Sequence, residues 1–191
     1  TNFTSSLLVG HATTGTLDAA QYNTGVGFTS LDALTSGDNN TAIGYNSLST
    51  NTIGANNIGL GGWTLKANVS GGNNTAVGYL SQKDATGSNN TSLGYDSLED
   101  VTGTGNIGVG YGAGNNITSG SGNVVIGNAD VSSATGSDQL SISSGDDGSV
   151  VWISGSSAGV VTLNAANVTQ QALSSSSNAV AWDASAKPNA Y

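Results

Sequence analysis

Ten residues at 39–48, NNTAIGYNSL, return as NNTAVGYLSQ at 73–82 and as NNTSLGYDSL at 89–98. Aligned on their glycine, the copies place Gly10, Gly27, Gly44, Gly61, Gly78, Gly94, Gly110 and Gly127 at intervals of 17, 17, 17, 17, 16, 16 and 17 residues. An aliphatic residue precedes each: Val9, Val26, Ile43, Leu60, Val77, Leu93, Val109 and Ile126. Three residues earlier stand Asn23, Asn40, Asn57, Asn74, Asn90, Asn106 and Asn123, with Ser6 in the first copy and Gln139 in a last one that runs to Ile142 and Ser143. Such a chain meets the same folding problem every 16 or 17 residues, and a stack of like layers solves it.

The period is too short for a pair of helices and too long for one strand with a tight turn, but it suits one coil of a β-solenoid. The N-T-A-I-G-Y segment alternates as a strand does. Intervening stretches such as TSGDNN and SGGNN are turn chemistry, rich in residues that tolerate positive φ. A helix would carry a glycine in every copy at about 1 kcal/mol each relative to Ala. The expected fold is therefore all-β: a parallel β-solenoid or β-roll of about eight or nine 16–17-residue coils over residues 1–143. The asparagines should line up as a ladder along the stack.

Period-two geometry puts Thr41 and Ile43 on one strand face and Ala42 and Gly44 on the other. The first face, with pairs such as Ile58 and Leu60 or Ile107 and Val109, is expected to be the core of the coil. The second, nearly bare face is expected to lie against another backbone layer from a partner chain. Leu31, Leu48, Leu65 and Leu98, four residues past the glycine, should fill the coil after the bend. Three aliphatic side chains per coil, at about 1.5–3 kcal/mol each, fall short of an ordering cost of about 1–2 kcal/mol per residue. Stacking and association with partner chains are thus expected to be part of folding.

Composition removes several function classes. The net charge is −9, with three Lys, no Arg and no basic cluster, which argues against nucleic acid and anionic membrane surfaces. No apolar run approaches the roughly 20 residues of a membrane span, and no signal peptide is visible. With no Cys, neither disulfides nor thiolate metal sites are available. Low charge and regularly spaced β-branched and aromatic residues argue against disorder.

Candidate chemistry is sparse. His11, the only imidazole, occupies the position of Phe28, Tyr45 and Tyr79 in later coils, and reads as a repeat variant with no triad partners. Asp96, Glu99 and Asp100 are the only carboxylate cluster; a glycosidase needs two carboxylates at a defined separation, and a solvated turn is the preferred reading. SGDDGS, with Asp146 and Asp147, lacks the alternating spacing of calcium loops and reads as a hairpin turn. GVG and GLGG recur without a following helix, which removes phosphate binding. No enzyme activity, metal or cofactor is expected. Phe28, Tyr45, Tyr79, Tyr95 and Tyr111 form a row after the bend, suited to packing at a corner or between chains and, secondarily, to glycan contact. Asn39-Asn40-Thr41, Asn73-Asn74-Thr75 and Asn89-Asn90-Thr91 are sequons, of consequence only in a eukaryotic secretory pathway.

The repeated N-x-[VIT]-[AG]-[VIL]-G-[YF] motif, with linkers such as TSGDNNTAIGYNSL, resembles the repeats of bacteriophage tail-fibre shafts over roughly residues 6–143. It is similar also to the head repeats of trimeric autotransporter adhesins. That resemblance implies a parallel β-roll whose three chains associate along their length, although the adhesin repeat is usually shorter. With no stalk heptads or anchor in the sequence, the expectation is a virion tail-fibre shaft that presents a receptor-binding tip. Its partners would be itself, other fibre or virion proteins and host surface glycan. The alternative is a bacterial surface adhesin head binding host glycan or protein; an ice-binding solenoid and a tailspike depolymerase rank below both. Residues 144–173 read as closing strands and a connection, and 174–191 as a Ser-rich linker and the start of a further module. The absence of an initiator Met and the abrupt end at Tyr191 suggest a fragment or processed product whose natural chain continues.

Overall fold

Each Asn-x-x-aliphatic-Gly unit becomes a three-residue strand followed by a bend. The computed structural model describes residues 6–9, 20–144 and 148–163. In chain order the strands are β1 (Leu7–Val9), β2 (Thr24–Val26), β3 (Thr41–Ile43), β4 (Ile58–Leu60), β5 (Thr75–Val77), β6 (Thr91–Leu93), β7 (Ile107–Val109), β8 (Val124–Ile126), β9 (Leu140–Ser143), β10 (Val151–Gly155) and β11 (Val161–Leu163). They form one sheet in sequence order, with no helix among the described residues. From β1 to β9 every pairing is parallel and joins equivalent positions, Thr41 with Ile58 and Ile43 with Leu60, for example. The chain is a parallel β-solenoid, with seven complete described turns between β2 and β9. Gly10 and His11 lie outside the described residues, as do Asp146, Asp147 and residues 164–191.

The stack ends in a change of direction. β10 pairs antiparallel with β9 and β11 antiparallel with β10, with an irregularity between Val151 and Ile153. This hairpin covers the last rung's edge, which would otherwise offer unpaired backbone groups.

The two strand faces are the reverse of the expectation. Ala42, Gly59, Ala76, Ser92, Gly108 and Val125 point into the coil and are buried, whereas Ile43, Ile58, Leu93, Ile107 and Ile126 point outward and are 39–50% exposed. The reason is the thinness of the coil. A Cβ on Gly59 would sit 2.5 Å from Ser47 Oγ, and one on Gly108 2.8 Å from Leu98 Cγ. The opposite wall comes so close that most rungs accept only hydrogen, a methyl or a hydroxymethyl inside. The bare face is therefore the inner one, and in most rungs the strand's larger β-branched or leucine side chains have room only outside, Val125 being an inward exception.

The interior is filled from that opposite wall. Leu31, Leu48, Leu65 and Leu98 are 0–1% exposed, as their spacing predicts. Each adopts a positive φ between 49° and 55°. That conformation costs an L-residue about 1–2 kcal/mol, which the burial of a leucine, about 1.5–3 kcal/mol, offsets. In the seventh rung Gly114 takes the leucine's place at φ 65°. Its missing side chain is compensated by Ile117 and Val125, whose methyls would lie 2.9 and 3.3 Å from a Cβ there. In the fifth rung Gln82 takes the position, buried, and donates through Nε2 to Thr75 O and Ser92 Oγ, both at 2.9 Å. Its polarity divides the apolar interior into a cluster centred on Leu34, Leu48 and Leu65 and another on Leu98, Val101 and Ile117.

Candidate functional site

The seven asparagines form one buried column, 0% exposed at every position. Each lies just before a strand, where a bend leaves backbone groups without ladder partners. The oxygen of each accepts the backbone N–H of the equivalent residue one rung on: Asn40 N donates to Asn23 Oδ1 at 2.8 Å, Asn57 N to Asn40 Oδ1 at 2.9 Å, and Asn90 N to Asn74 Oδ1 at 2.9 Å. The nitrogen donates to a glycine carbonyl in that next rung's turn: Asn23 to Gly37, Asn40 to Gly54 and Asn106 to Gly120, at 2.8–2.9 Å. Ser6 Oγ accepts Asn23 N at 2.8 Å, and Gln139 N donates to Asn123 Oδ1 at 2.9 Å, so the column keeps its register at both ends. Direct amide-to-amide bonds occur between only some neighbours, such as Asn57 to Asn40 at 3.1 Å and Asn123 to Asn106 at 3.0 Å. The column is chiefly a side-chain-to-backbone clasp between rungs, and its polar atoms are spent inside the coil.

The aligned glycines stack in a second column. Gly44, at φ 135°, places its Cα so near the next rung that a Cβ would lie 2.4 Å from Gly61 O. Gly27, Gly61, Gly78, Gly94, Gly110 and Gly127 share the positive φ, from 101° to 141°. Two further glycines answer another question. Asn51 Oδ1 and Asn68 Oδ1 are buried acceptors without a conventional donor, and each lies 2.3 Å from where a Cβ of Gly54 or Gly71 would stand. The Cα–H of those glycines is aimed at the oxygen, a weak donor that a side chain would replace with a clash.

The aromatic row lies on the outer rim and its members are exposed. Phe28 stacks on Tyr45 with centroids 6.1 Å apart, Tyr79 on Tyr95 at 6.0 Å and Tyr95 on Tyr111 at 5.0 Å. Between the two groups Gly62 replaces the aromatic residue. Trp63 packs edge-on against Tyr45 at 5.4 Å, with Lys66 Nζ 4.7 Å from its centroid. The rings turn their faces toward one another and their edges toward solvent, so along most of the row no face is left for a flat ligand to stack on.

The acidic residues gather at neighbouring turns. Carboxylate oxygens of Asp84, Glu99 and Asp100 lie within 4.8 Å of one another. Lys83 Nζ stands 2.7 Å from Asp84 Oδ2 and 2.8 Å from Glu99 Oε1. These hydrogen bonds, Asp84's first, raise the lysine's pKa above its ordinary value. The fold thus supplies the cluster's counter-cation itself. Burial, and then the charge of Glu99, pushes the Asp96 carboxyl above the usual range, and the same two causes raise Asp100. Asp96 also lines an open cavity of about 460 Å³ with Tyr111, Asn115, Asn128 and Asp130. Asn115 Nδ2 donates to Asp96 Oδ2 at 3.2 Å, and the backbone N–H of Asn116 donates to Asp130 Oδ1 at 3.0 Å. One oxygen of each carboxylate is thereby engaged, while Asp96 Oδ1 is buried without a hydrogen-bond partner, and no nucleophile with an adjacent base is assembled among the described residues.

The surface that sequence reasoning placed wrongly runs the length of the parallel sheet. Two outward columns run along the sheet. One reads Leu7, Thr24, Thr41, Ile58, Thr75, Thr91, Ile107, Val124 and Leu140; the other reads Val9, Val26, Ile43, Leu60, Val77, Leu93, Val109, Ile126 and Ile142. Neither contains a charged residue, although the chain carries −9. The apolar face continues onto the hairpin, where Ile153 pairs with Ile142 and Leu163 with Ile153. The signal that could have revealed it is the inner face itself: a coil whose alternate positions are Gly, Ala and Ser is too thin to hold the aliphatic set.

A scan against protein-family models and searches of curated proteins and of solved structures each return no match.

Proposed function

We propose that the chain is a non-enzymatic structural shaft of a bacteriophage tail fibre, in which copies associate side by side as a homotrimer and hold a receptor-binding tip away from the virion. The observation that carries this reading is the uncharged, outward apolar face running the length of the rod. Solitary exposed aliphatics are ordinary, but a contiguous apolar stripe marks an association surface. The hairpin adds weight: β10 and β11 lie outside the repeat and yet keep aliphatic side chains on that face. Polar atoms spent on rung-to-rung clasps are consistent with a spacer. The repeat motif's resemblance to fibre shafts supplies the biological setting.

The test is immunogold labelling of the particle whose genome encodes the chain, with antibodies raised against residues 20–144. Gold along the fibre shaft is expected, and labelling confined to the head, or absent from intact particles, overturns the reading. A bacterial surface adhesin is the second reading, favoured by the exposed tyrosine rim. It requires binding of the isolated rod to a glycan or protein of the host surface.

A further inference from the structure

We infer that Thr24, Thr41, Thr75 and Thr91 set the polarity and register in which a second copy of this chain docks on the outward face; this rests on the side-by-side association proposed above. The two outward columns differ in kind. The Val9-to-Ile142 column is aliphatic at every one of its nine rungs. The Leu7-to-Leu140 column carries threonine at rungs two, three, five and six and aliphatics at one, four, seven, eight and nine. None of these four hydroxyls hydrogen-bonds to another described residue, whereas the hydroxyls of Thr35 and Thr64 donate to backbone carbonyls. Within a single chain the four depend on water, and a docked neighbour would take that water away.

A second copy fits this face better than a foreign surface does. Its rungs recur at the same spacing, about 4.8 Å, so its ridges can meet these grooves along the whole rod. The face is uncharged, so two chains of −9 can meet there without opposing like charges.

Symmetry then makes the pattern decisive. In a cyclic assembly with its axis along the rod, every residue lies at the same height in all copies. Threonines share layers with threonines at rungs two, three, five and six, and each remaining layer is wholly apolar. Reversing one copy at full overlap changes this: Thr24 comes level with Val124, Thr41 with Ile107 and Thr91 with Ile58, leaving only Thr75 opposite itself. A reversed copy can match all four threonines only by sliding two rungs, which leaves the apolar rungs eight and nine of both chains uncovered, so full overlap with matched threonines belongs to the parallel, level arrangement. Sliding a parallel copy by one rung sets Thr41 against Ile58, Ile58 against Thr75 and Thr91 against Ile107. Each mismatch desolvates a hydroxyl against a methyl surface. A few polar positions in an apolar seam can fix alignment in this way, as buried polar residues do in coiled coils.

The chain has no cysteine, so reporters can be introduced singly. Ile43→Cys (rung three) and Val109→Cys (rung seven) sit in the aliphatic column and leave the threonines intact. They are purified separately, mixed after reversible dissociation, and treated with a short bismaleimide. Self-adducts of Ile43→Cys are expected to exceed mixed Ile43–Val109 adducts by at least about tenfold. With Thr24, Thr41, Thr75 and Thr91 all changed to Val in both reporter chains, association should persist and mixed adducts should rise to comparable yield. Circular dichroism confirms that each variant keeps its β-content.

Dominant mixed adducts in the threonine-containing protein would mean a reversed pairing and overturn the inference. So would a same-rung pattern that survives the fourfold Val change. A chain that sediments as a monomer without adducts overturns it too, and thermal hysteresis in that sample would name ice as the face's occupant. A reversed or threonine-independent alignment leaves the shaft reading standing, whereas failed immunogold labelling strikes the shaft alone.

Discussion

The backbone N–H of Asn74 donates to Asn57 Oδ1 at 3.0 Å, and Asn57 Nδ2 donates to Gly71 O at 2.9 Å. One side chain thus satisfies two backbone groups of the next rung that no ladder bond reaches. Asn57→Ala would leave the buried Asn74 N–H without its acceptor, at about 1–3 kcal/mol, and would remove one of two donors from Gly71 O, which keeps Asn68 Nδ2 at 2.9 Å, at about 1 kcal/mol. We expect a loss of about 2–4 kcal/mol in urea unfolding. The neighbouring Asn56→Ala, on the exposed turn, should cost the left-handed conformation, about 1–2 kcal/mol, and little more, since its bond to Asn73 Oδ1 at 3.3 Å is solvent-exposed. Equal losses for the two variants would refute the clasp.

Gly44→Ala should destabilise strongly, because its Cβ would meet the backbone oxygen of Gly61 at 2.4 Å and the φ of 135° is itself unfavourable. A cost above about 2 kcal/mol is expected. Gly62→Ala is the control, since it meets only the edge of the Tyr79 ring, at 3.2 Å. A thermal melt in which Gly44→Ala matches Gly62→Ala would contradict the stacked-glycine geometry.

Ile43→Asp should leave the coil intact, because the side chain points away from the interior and is 43% exposed. Its β-sheet circular dichroism should match that of the parent chain, while sedimentation shows weakened association by at least about tenfold. Loss of β-content with no effect on association would return the aliphatic face to the core.

The Asp96 carboxyl titrates above its ordinary range, first through burial and then through Glu99. As pH falls from neutral, the folded chain therefore takes up this proton before the unfolded chain does, and acidification stabilises the fold until the unfolded carboxyl titrates as well. Asp100 acts in the same sense. Asp96→Asn should raise the melting temperature at pH 7 and reduce the gain seen on moving from neutral toward the usual carboxylate range. Unchanged pH curves would remove Asp96 as a contributor.

Gln82→Leu combined with Ser92→Ala should join the two apolar clusters, because Gln82 occupies a leucine position at a φ of 50°, like Leu31 and Leu48. Burying the leucine favours the variant by about 1.5–3 kcal/mol, and the bond lost at Thr75 O opposes it by about 1 kcal/mol. A net gain in urea midpoint is expected. A net loss would mean that the polar level is required for packing.

The parallel coil, its period and its asparagine register were legible because each depends on recurrence: Ser6 and Gln139 could be assigned to the column without any structure. The leucines at 31, 48, 65 and 98 were legible for the same reason. Which strand face lies inside was not. Alternation separates Thr41 and Ile43 from Ala42 and Gly44, but the sign of the separation depends on the distance to the opposite wall, which Ser47 and Leu98 set from another part of each turn. The usual rule that larger aliphatics go inward then misleads. The aromatic row was legible as a row; that its rings face one another required the 5–6 Å spacing along the rim.

Strands crossing the rod put their hydrogen bonds along its length. A pull on the two ends would therefore not shear the sheet; it would open it one level after another, like a zip, with the Gln82 level dividing two separately packed segments. A lone filament of this kind would be mechanically soft. Tethering strength would have to come from neighbours whose lateral grip spans many levels at once, so that no single level could part alone.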